Sequence, residues 1–243
     1  MAERVASLIS GGGTTMCEVA KACLSGAVNA QFMCVIASTA QAGGIAKAKA
    51  LGIPAHDVVV VDPQQFRHGG TGPIDRRAFG AALLHELRLR KISLVLQNGW
   101  MPLTPEAVIE AFPQRIFNQH PGPVPEFGGG GMFGRRVHAA VLLFRRWTGG
   151  EPWTEVIAQR VAANFDEGVV LKSRRIPIEA ADTVDDLQRR ALPFEHQLQV
   201  ELLNEIVEGR QQPVSARPPL VATEHKAVWE MAKKAARLLY PKG

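Results

Sequence analysis

Residues 4–16 of this 243-residue chain, RVASLISGGGTTM, decide how its fold begins. The apolar run from Arg4 to Ile9 predicts a buried strand, and Ser10 to Thr15 predicts a glycine-rich turn. From Met16 onward, apolar residues recur at helical spacing. A strand, a turn and a helix in this order are typical of the first unit of a parallel α/β sheet.

The same alternation of strands and helices continues along the chain. The strands are apolar throughout rather than alternating, which favours a mostly parallel sheet covered by helices on both faces. We therefore expect an α/β domain over residues 1–209, followed by a linker and a C-terminal helix over residues 210–243. Strands are predicted at 4–9, 31–38, 58–61, 92–96, 115–118, 154–162 and 169–176. Helices are predicted from 16 and at 43–51, 75–89, 105–112, 134–147, 183–208 and 223–240.

Composition excludes several classes of protein. The chain is 46% hydrophobic and 21% charged, which argues against a disordered protein. No apolar stretch is long enough to span a membrane, and the N-terminus lacks the layout of a signal peptide. The three cysteines show no CxxC spacing, so we expect neither disulfides nor a metal site, and a reducing cytoplasm fits best. A net charge of +5 suits an anionic ligand, and neither nucleic acid nor a membrane is expected as a partner.

The turn at Ser10 to Thr15 is the first candidate for a ligand site. Its glycines allow close approach of the backbone, and the helix that follows offers free N–H groups to a phosphate. The GxGxxG dinucleotide pattern is absent, because Met16 stands where the third glycine is needed. The alternative is a tight turn that binds nothing.

The second candidate lies at the end of a predicted strand, where Asn118 and His120 would point to the same side. A histidine beside an amide donor can act in general acid–base catalysis, and the two groups can stabilise an oxyanion. The alternative is a structural histidine that only makes hydrogen bonds. Asp166 lies in the turn NFDEG. It is either a turn residue or a carboxylate that orients His120 and favours its charged form. Gly128 to Gly131 predict a mobile loop, which is either a lid or a passive connector.

Taken together, these segments resemble the folate-dependent formyltransferase family over residues 4–209. The specific part is the Asn-x-His-Pro block at 118–121, followed later in the chain by the aspartate-x-glycine turn at 166–168. The resemblance implies a three-layer, Rossmann-like fold with a C-terminal helical extension. The segments that carry it are LISGGGTTM (8–16), DRRAFGAALL (75–84), NGWMPLTPEAV (98–108), FPQRIFNQHPGPVP (112–125), NFDEGVVL (164–171) and LPFEH (192–196).

The resemblance also implies a role for individual residues. It places the family's catalytic residues at Asn118, His120 and Asp166. The residues that it assigns to the phosphorylated amine substrate are Gly12, Gly13, Thr14, Thr15, Arg76 and Glu195. Those that it assigns to the folate pocket are Trp100, Met101, Pro102, Leu103, Asn118, Ala162, Ala163, Asn164, Phe165 and Asp166.

The implied reaction is formyl transfer from 10-formyltetrahydrofolate, as co-substrate, to the amine of glycinamide ribonucleotide in de novo purine biosynthesis. The amine attacks the formyl carbon, and a tetrahedral intermediate develops negative charge on oxygen. Asn118 and protonated His120 would donate hydrogen bonds to that oxygen. No metal is implied, and a homodimer is an open option.

Departures from the family pattern keep other acceptors open. Gly122-Pro123-Val124 replaces the usual Ser-Leu-Leu, and Gln159 stands where relatives often carry histidine. The alternatives are transfer to an amino-sugar nucleotide or methionyl-tRNA, hydrolysis of formyltetrahydrofolate, and a non-catalytic phosphate-ligand binding module. Nucleic-acid binding through the basic face of the last helix is a further alternative, although such a face is usually solvated.

Overall fold

The computed structural model describes residues 2–215 and 217–243, and over these residues the chain forms seven strands and seven α-helices. Each predicted strand and helix is present, with its ends shifted by at most three residues. The strands are β1 (Glu3–Ile9), β2 (Ala30–Ala37), β3 (Val58–Val60), β4 (Leu94–Gln97), β5 (Ile116–His120), β6 (Trp153–Arg160) and β7 (Val170–Pro177). The helices are α1 (Thr14–Leu24), α2 (Gly44–Ala50), α3 (Arg76–Leu89), α4 (Glu106–Ala111), α5 (Arg135–Thr148), α6 (Val184–Val207) and α7 (Lys226–Leu239).

The strands form one sheet in the order β3-β2-β1-β4-β5-β6-β7. The pairs β1–β2, β1–β4, β2–β3 and β4–β5 are parallel, whereas β6 and β7 are antiparallel. This confirms the predicted mostly parallel α/β fold with a C-terminal helix. Over residues 172–177 of β7, the last strand in the order, less exposed residues alternate with exposed ones, as expected for a strand with one face toward solvent.

Local sequence signals explain where the helices begin. Asp75 precedes α3, and its carboxylate accepts hydrogen bonds from the backbone N–H groups of Arg77 and Ala78 at 2.9 and 3.0 Å. Thr183 and Asp186 form a reciprocal pair at the start of α6, in which each side chain accepts from the other residue's backbone N–H. Both caps satisfy N–H groups that the first helical turn leaves unpaired.

The chain divides into two compact units, which we describe separately. Unit 1 comprises residues 1–118, 160–163 and 199–211, and unit 2 comprises residues 119–159, 164–198 and 212–243. The core of unit 1 contains Phe79, Leu83 and Leu87 of α3, with apolar residues of β1, β2 and β4. In unit 2, Phe127 and Phe144 pack edge to face with ring centroids 5.6 Å apart.

Two boundaries bear on function. Strand β5 ends at His120 rather than at the predicted Asn118, so the histidine is held by strand geometry. The expected boundary between residues 209 and 210 stays a prediction, and residues 212–243 group with unit 2.

Among the described residues, no helix has both the length and the apolar character needed to cross a membrane.

Candidate active site

His120 and Asp166, distant in the sequence, come together in unit 2. Nδ1 of His120 lies 3.5 Å from Oδ2 of Asp166, and the two side chains are 5% and 7% exposed. The other ring nitrogen, Nε2, lies 3.0 Å from the carbonyl oxygen of Phe127. Both ring nitrogens of His120 therefore face oxygen acceptors.

Hydrogen bonds from two other residues hold the carboxylate of Asp166 beside the histidine. The backbone N–H of Gly129 donates to Oδ2 at 3.0 Å, and the side-chain amide of Gln159 donates to Oδ1 at 2.8 Å. Asp166 itself has a φ of 57°, in the left-handed region that non-glycine residues rarely adopt. Such a conformation costs on the order of 1 kcal/mol and persists where surrounding contacts fix it, which is common at functional sites.

The segment 126–131, which we call the 126–131 loop, packs directly on Asp166. A Cβ added to Gly128 would lie 2.5 Å from the Cβ of Asp166, which is closer than real Cβ atoms approach. Gly128 is therefore required by the close approach of the loop to the aspartate. Sequence reasoning missed Gly128, Phe127 and Gln159 as parts of this site, because their contacts join segments that are far apart in the chain.

Gly122, which replaces the usual serine of the family pattern, is explained by packing. A Cβ at this buried position would lie 2.3 Å from Cγ1 of Val137 on α5. A serine would require the side chain of Val137, or α5 itself, to shift. Asn118, the other residue of the predicted catalytic group, precedes His120 by two residues on β5, is half-buried and belongs to unit 1.

The predicted phosphate turn lies in unit 1, between β1 and α1. Gly13 precedes α1 with a φ of 62°, and a Cβ there would lie 2.8 Å from Cα of Gly44. The glycine is thus required by contact with the neighbouring backbone as well as by its conformation. Nζ of Lys47 lies 3.9 Å from where a Cβ of Gly12 would be, so a lysine ammonium lies beside the turn. Thr14 and Thr15 open α1, whose N-terminus carries the positive end of the helix dipole.

Other predicted ligand residues of unit 1 differ in accessibility. Trp100 is only 6% exposed and stacks on Phe79 in the core, with ring centroids 6.3 Å apart. Met101 is 42% exposed, and its backbone N–H donates to Oγ of Ser10. The exposed Arg76 donates to the carbonyl oxygen of Thr104 at 3.3 Å. The partly accessible residues are Pro102, Leu103 and Ala162, and Ala163 is exposed.

The remaining predicted residues lie in unit 2. Asn164 donates to Glu167 at 2.8 Å, and Phe165 is 37% exposed. Glu195 lies on α6 and is buried, and burial raises the pKa of its carboxyl to about 7. The side-chain amide of Gln119 donates to Oε2 of Glu195 at 3.3 Å.

His138 on α5 is a buried titratable residue that sequence reasoning did not single out. It is 1% exposed, and no described residue gives either ring nitrogen a hydrogen bond. Burial, with a smaller contribution from the charge of His120, lowers the pKa of His138 to about 4. The ring is therefore neutral at pH 7. Among residues 2–215 and 217–243, no cluster of three or more histidine, cysteine or acidic side chains could hold a metal ion.

The mostly parallel sheet and the buried His120–Asp166 pair define the class of this protein. The chain belongs to the formyl transferase family, whose model matches residues 3–203. This confirms the resemblance found in the sequence.

Two plant proteins and one solved structure illustrate what the chain is similar to. The chain is 32% identical over 208 residues to the chloroplastic phosphoribosylglycinamide formyltransferase of Arabidopsis thaliana, covering 86% of this chain. It is 31% identical to the corresponding protein of Vigna unguiculata, again over 86% of this chain. The chain spans 66% and 62% of the length of these two plant proteins. The crystal structure of glycinamide ribonucleotide transformylase 1 from Symbiobacterium toebii superposes with a TM-score of 0.75 at 30% identity, covering 88% of this chain and 92% of that one.

Proposed function

We propose that this chain transfers a formyl group from 10-formyltetrahydrofolate to the amine of glycinamide ribonucleotide. The observation that carries the proposal is the approach of His120 to Asp166 within 3.5 Å, both side chains being buried. Membership of the formyl transferase family supports the reaction, and relatives named for the glycinamide ribonucleotide acceptor support the substrate.

His120 supplies positive charge and an N–H to the oxygen that becomes negative when the amine attacks the formyl carbon. To do so, one ring N–H exchanges its present acceptor for the reacting oxygen. Asn118, two residues earlier on β5, adds an amide donor on the same side of the strand. Each such donor contributes about 3–4 kcal/mol to the transition state.

Asp166 orients the imidazole of His120, and it helps to move a proton from the attacking amine to the leaving nitrogen. Its φ of 57° and its two hydrogen bonds, from Gly129 and Gln159, fix the carboxylate before substrate arrives. A carboxylate that is already in place need not reorganise during the reaction.

The phosphate of the acceptor binds at Gly12, Gly13, Thr14 and Thr15. The support is chemical: the turn opens α1, whose N-terminus favours an anion, and the ammonium of Lys47 lies beside Gly12. Arg76 adds a cationic side chain that is exposed. Glu195 serves the amine end of the acceptor.

The folate binds at residues 100–103, at Asn118 and at residues 162–166. Two large apolar side chains in these segments, Met101 and Phe165, are 42% and 37% exposed. Exposed apolar groups of this size suit the flat ring system of a pterin. We also propose a cytoplasmic location, which the three free, buried cysteines support.

The test is a formyl-transfer assay with 10-formyltetrahydrofolate and three acceptors: glycinamide ribonucleotide, an amino-sugar nucleotide and water. We expect turnover with glycinamide ribonucleotide and a loss of about 10²–10⁴-fold in His120→Ala. His85→Ala, which changes an exposed histidine of α3, is the matched control. Preference for another acceptor would overturn the substrate assignment, and full activity of His120→Ala would overturn the mechanism.

Asp166→Asn tests the carboxylate separately. Asparagine keeps the size of the side chain but removes the carboxylate oxygen that lies beside Nδ1 of His120. We therefore expect lower turnover in a fold that is kept. Unchanged turnover would show that Asp166 is only a turn residue.

A further inference from the structure

The 126–131 loop has two sides with different partners. Two groups face the catalytic pair: the carbonyl oxygen of Phe127 contacts His120, and the N–H of Gly129 donates to Asp166. The carbonyl groups of the alternate residues, at positions 126, 128 and 130, are bound by helix α7. The loop therefore lies between the catalytic pair and the C-terminal helix, and all of these residues belong to unit 2.

Helix α7 presents its donors in a single stripe. Nε1 of Trp229 donates to the carbonyl oxygen of residue 126 at 2.8 Å. Nζ of Lys233 donates to the carbonyl oxygens of residues 126 and 128 at 3.1 and 2.9 Å. Arg237 donates to the carbonyl oxygen of residue 130 at 3.2 Å. Spacing of four residues puts the three side chains on one helix face, and they match carbonyls spaced by two along the loop.

Residues that precede α7 anchor the start of the loop by a charged contact. Arg217 donates to both carboxylate oxygens of Glu126, at 3.0 and 2.7 Å, and the backbone N–H of Leu220 donates to Oε1 at 2.8 Å. A two-point arginine–carboxylate pair fixes orientation as well as position. Arg136 of α5 in turn donates to the carbonyl oxygen of Tyr240 at 2.8 Å, just beyond the end of α7.

The basic face of α7 thus contacts other residues of the same chain. Two residues of the basic face that raised the alternative of nucleic-acid binding, Lys233 and Arg237, donate to the loop. The neighbouring Lys234 is exposed. The family match covers residues 3–203, so helix α7 lies outside it, whereas the 126–131 loop lies inside it.

We propose that Trp229, Lys233 and Arg237 are positioning residues for catalysis, which hold the 126–131 loop so that it fixes His120 and Asp166. This rests on the proposed function of His120 and Asp166. Since the loop contains four consecutive glycines, its own backbone preferences do little to fix it. The C-terminal helix supplies the missing restraint.

The test compares Lys233→Met with Lys234→Met in the full chain. Both variants remove one ammonium from α7, but only the first removes donors to the loop. We expect Lys233→Met to lower kcat for formyl transfer about 10- to 100-fold, because a misplaced catalytic group costs that much. KM for either substrate should change little, since Lys233 is not among the residues proposed to bind either substrate. Lys234→Met should match the wild type.

Two further variants keep the test decisive. Trp229→Phe keeps the ring and removes one donor, so it should show a smaller fall in kcat without loss of the fold. The double variant Lys233→Met/Gly128→Ala should lose less than the product of the two single losses, because both changes act through one loop. Assays are run below the unfolding temperature of each variant.

The outcomes separate this inference from the proposed function. If the wild type transfers formyl groups and Lys233→Met matches Lys234→Met, the positioning role is wrong and the proposed function stands. A rise in kcat for Lys233→Met also overturns the positioning role, because it would mean that the contact between Lys233 and the loop slows formyl transfer. If the wild type transfers no formyl group, the proposed function is wrong, and this inference is wrong with it.

Discussion

Gly128 and Asp166 approach so closely that the glycine has no room for a side chain. A Cβ on Gly128 would lie 2.5 Å from the Cβ of Asp166 and 3.1 Å from its Oδ2. The neighbouring Gly129 donates its N–H to the same Oδ2 at 3.0 Å. The aspartate is therefore held by a loop that only glycine allows to come this near.

Gly128→Ala should consequently reduce formyl transfer while the protein stays folded. The added methyl group must push either the loop or the aspartate away, and a shift of about 1 Å in a catalytic group costs up to about 100-fold in rate. Steady-state kinetics measure kcat, and thermal unfolding reports whether the fold is kept.

Gly130→Ala provides the matched control for this substitution. Its nearest atom to an added Cβ is a ring carbon of Phe165 at 4.0 Å, which is ordinary van der Waals contact. This variant should keep nearly full activity. Equal activity of both alanine variants would contradict a requirement for glycine at position 128.

Gln159 should matter because its amide holds the other carboxylate oxygen of Asp166. The hydrogen bond from Nε2 to Oδ1 is 2.8 Å long, and Gln159 is 1% exposed. Gln159→Leu removes a hydrogen bond to a charged group, worth about 1.5–3 kcal/mol, and should lower kcat about tenfold or more. Gln159→Glu should be worse at neutral pH, because it puts a second carboxylate against the first. If the leucine variant turns over like the wild type, Asp166 does not depend on this amide.

The architecture could be predicted from the sequence because its signals are local. Apolar runs marked the strands, helical spacing marked α3 and α6, and Asp75 and Thr183 marked two helix starts. These patterns reflect burial and helix capping, which depend on residues that are close together in the sequence. The His120–Asp166 pair is different. From local sequence alone, His120 and Asp166 could each have a purely structural role. Only the family resemblance placed the two residues in one site.

The support around the catalytic pair could not be predicted, because it comes from contacts between distant segments. The Gly128–Gly131 run suggested a mobile loop, yet in the structure the loop is bonded on both sides. The basic residues of α7 suggested a solvated face, yet Lys233 donates to two loop carbonyls. A lysine that faces solvent and one that faces a carbonyl have the same helical pattern, so periodicity cannot distinguish them.

His138 predicts how stability responds to acid. Its pKa of about 4 lies below the ordinary 6.5, mainly because of burial and also because of the charge on His120. Above pH 6.5 the folded and unfolded chains both carry a neutral ring. As the pH falls from 6.5 to 4, only the unfolded chain takes up the proton, so the free energy of unfolding decreases by about 3 kcal/mol from this residue. Denaturant titrations of the wild type and His138→Leu should show this decrease only in the wild type. Parallel pH dependence in the two proteins would contradict it.

Glu195 should act on stability in the opposite direction. Burial raises the pKa of its carboxyl from an ordinary 4.5 to about 7. Below pH 4.5 both states are protonated. Between pH 4.5 and 7 the unfolded chain ionises first, so the free energy of unfolding falls by about 3 kcal/mol as the pH rises. Glu195→Gln cannot ionise, and it should be more stable than the wild type at pH 8 and closely matched at pH 4.

The same substitution separates stability from function. If Glu195 contacts the amine of the acceptor, Glu195→Gln should bind the acceptor less well, with a raised KM for glycinamide ribonucleotide and little change in KM for the folate. Glu201→Gln is the control, because it removes a carboxylate from the same helix at a position that is only partly buried. We expect the Glu195→Gln protein to be more stable and less active. A carboxyl group that is buried because it binds a substrate lowers stability when the substrate is absent. A variant that is more stable and fully active would show that Glu195 does not serve the acceptor.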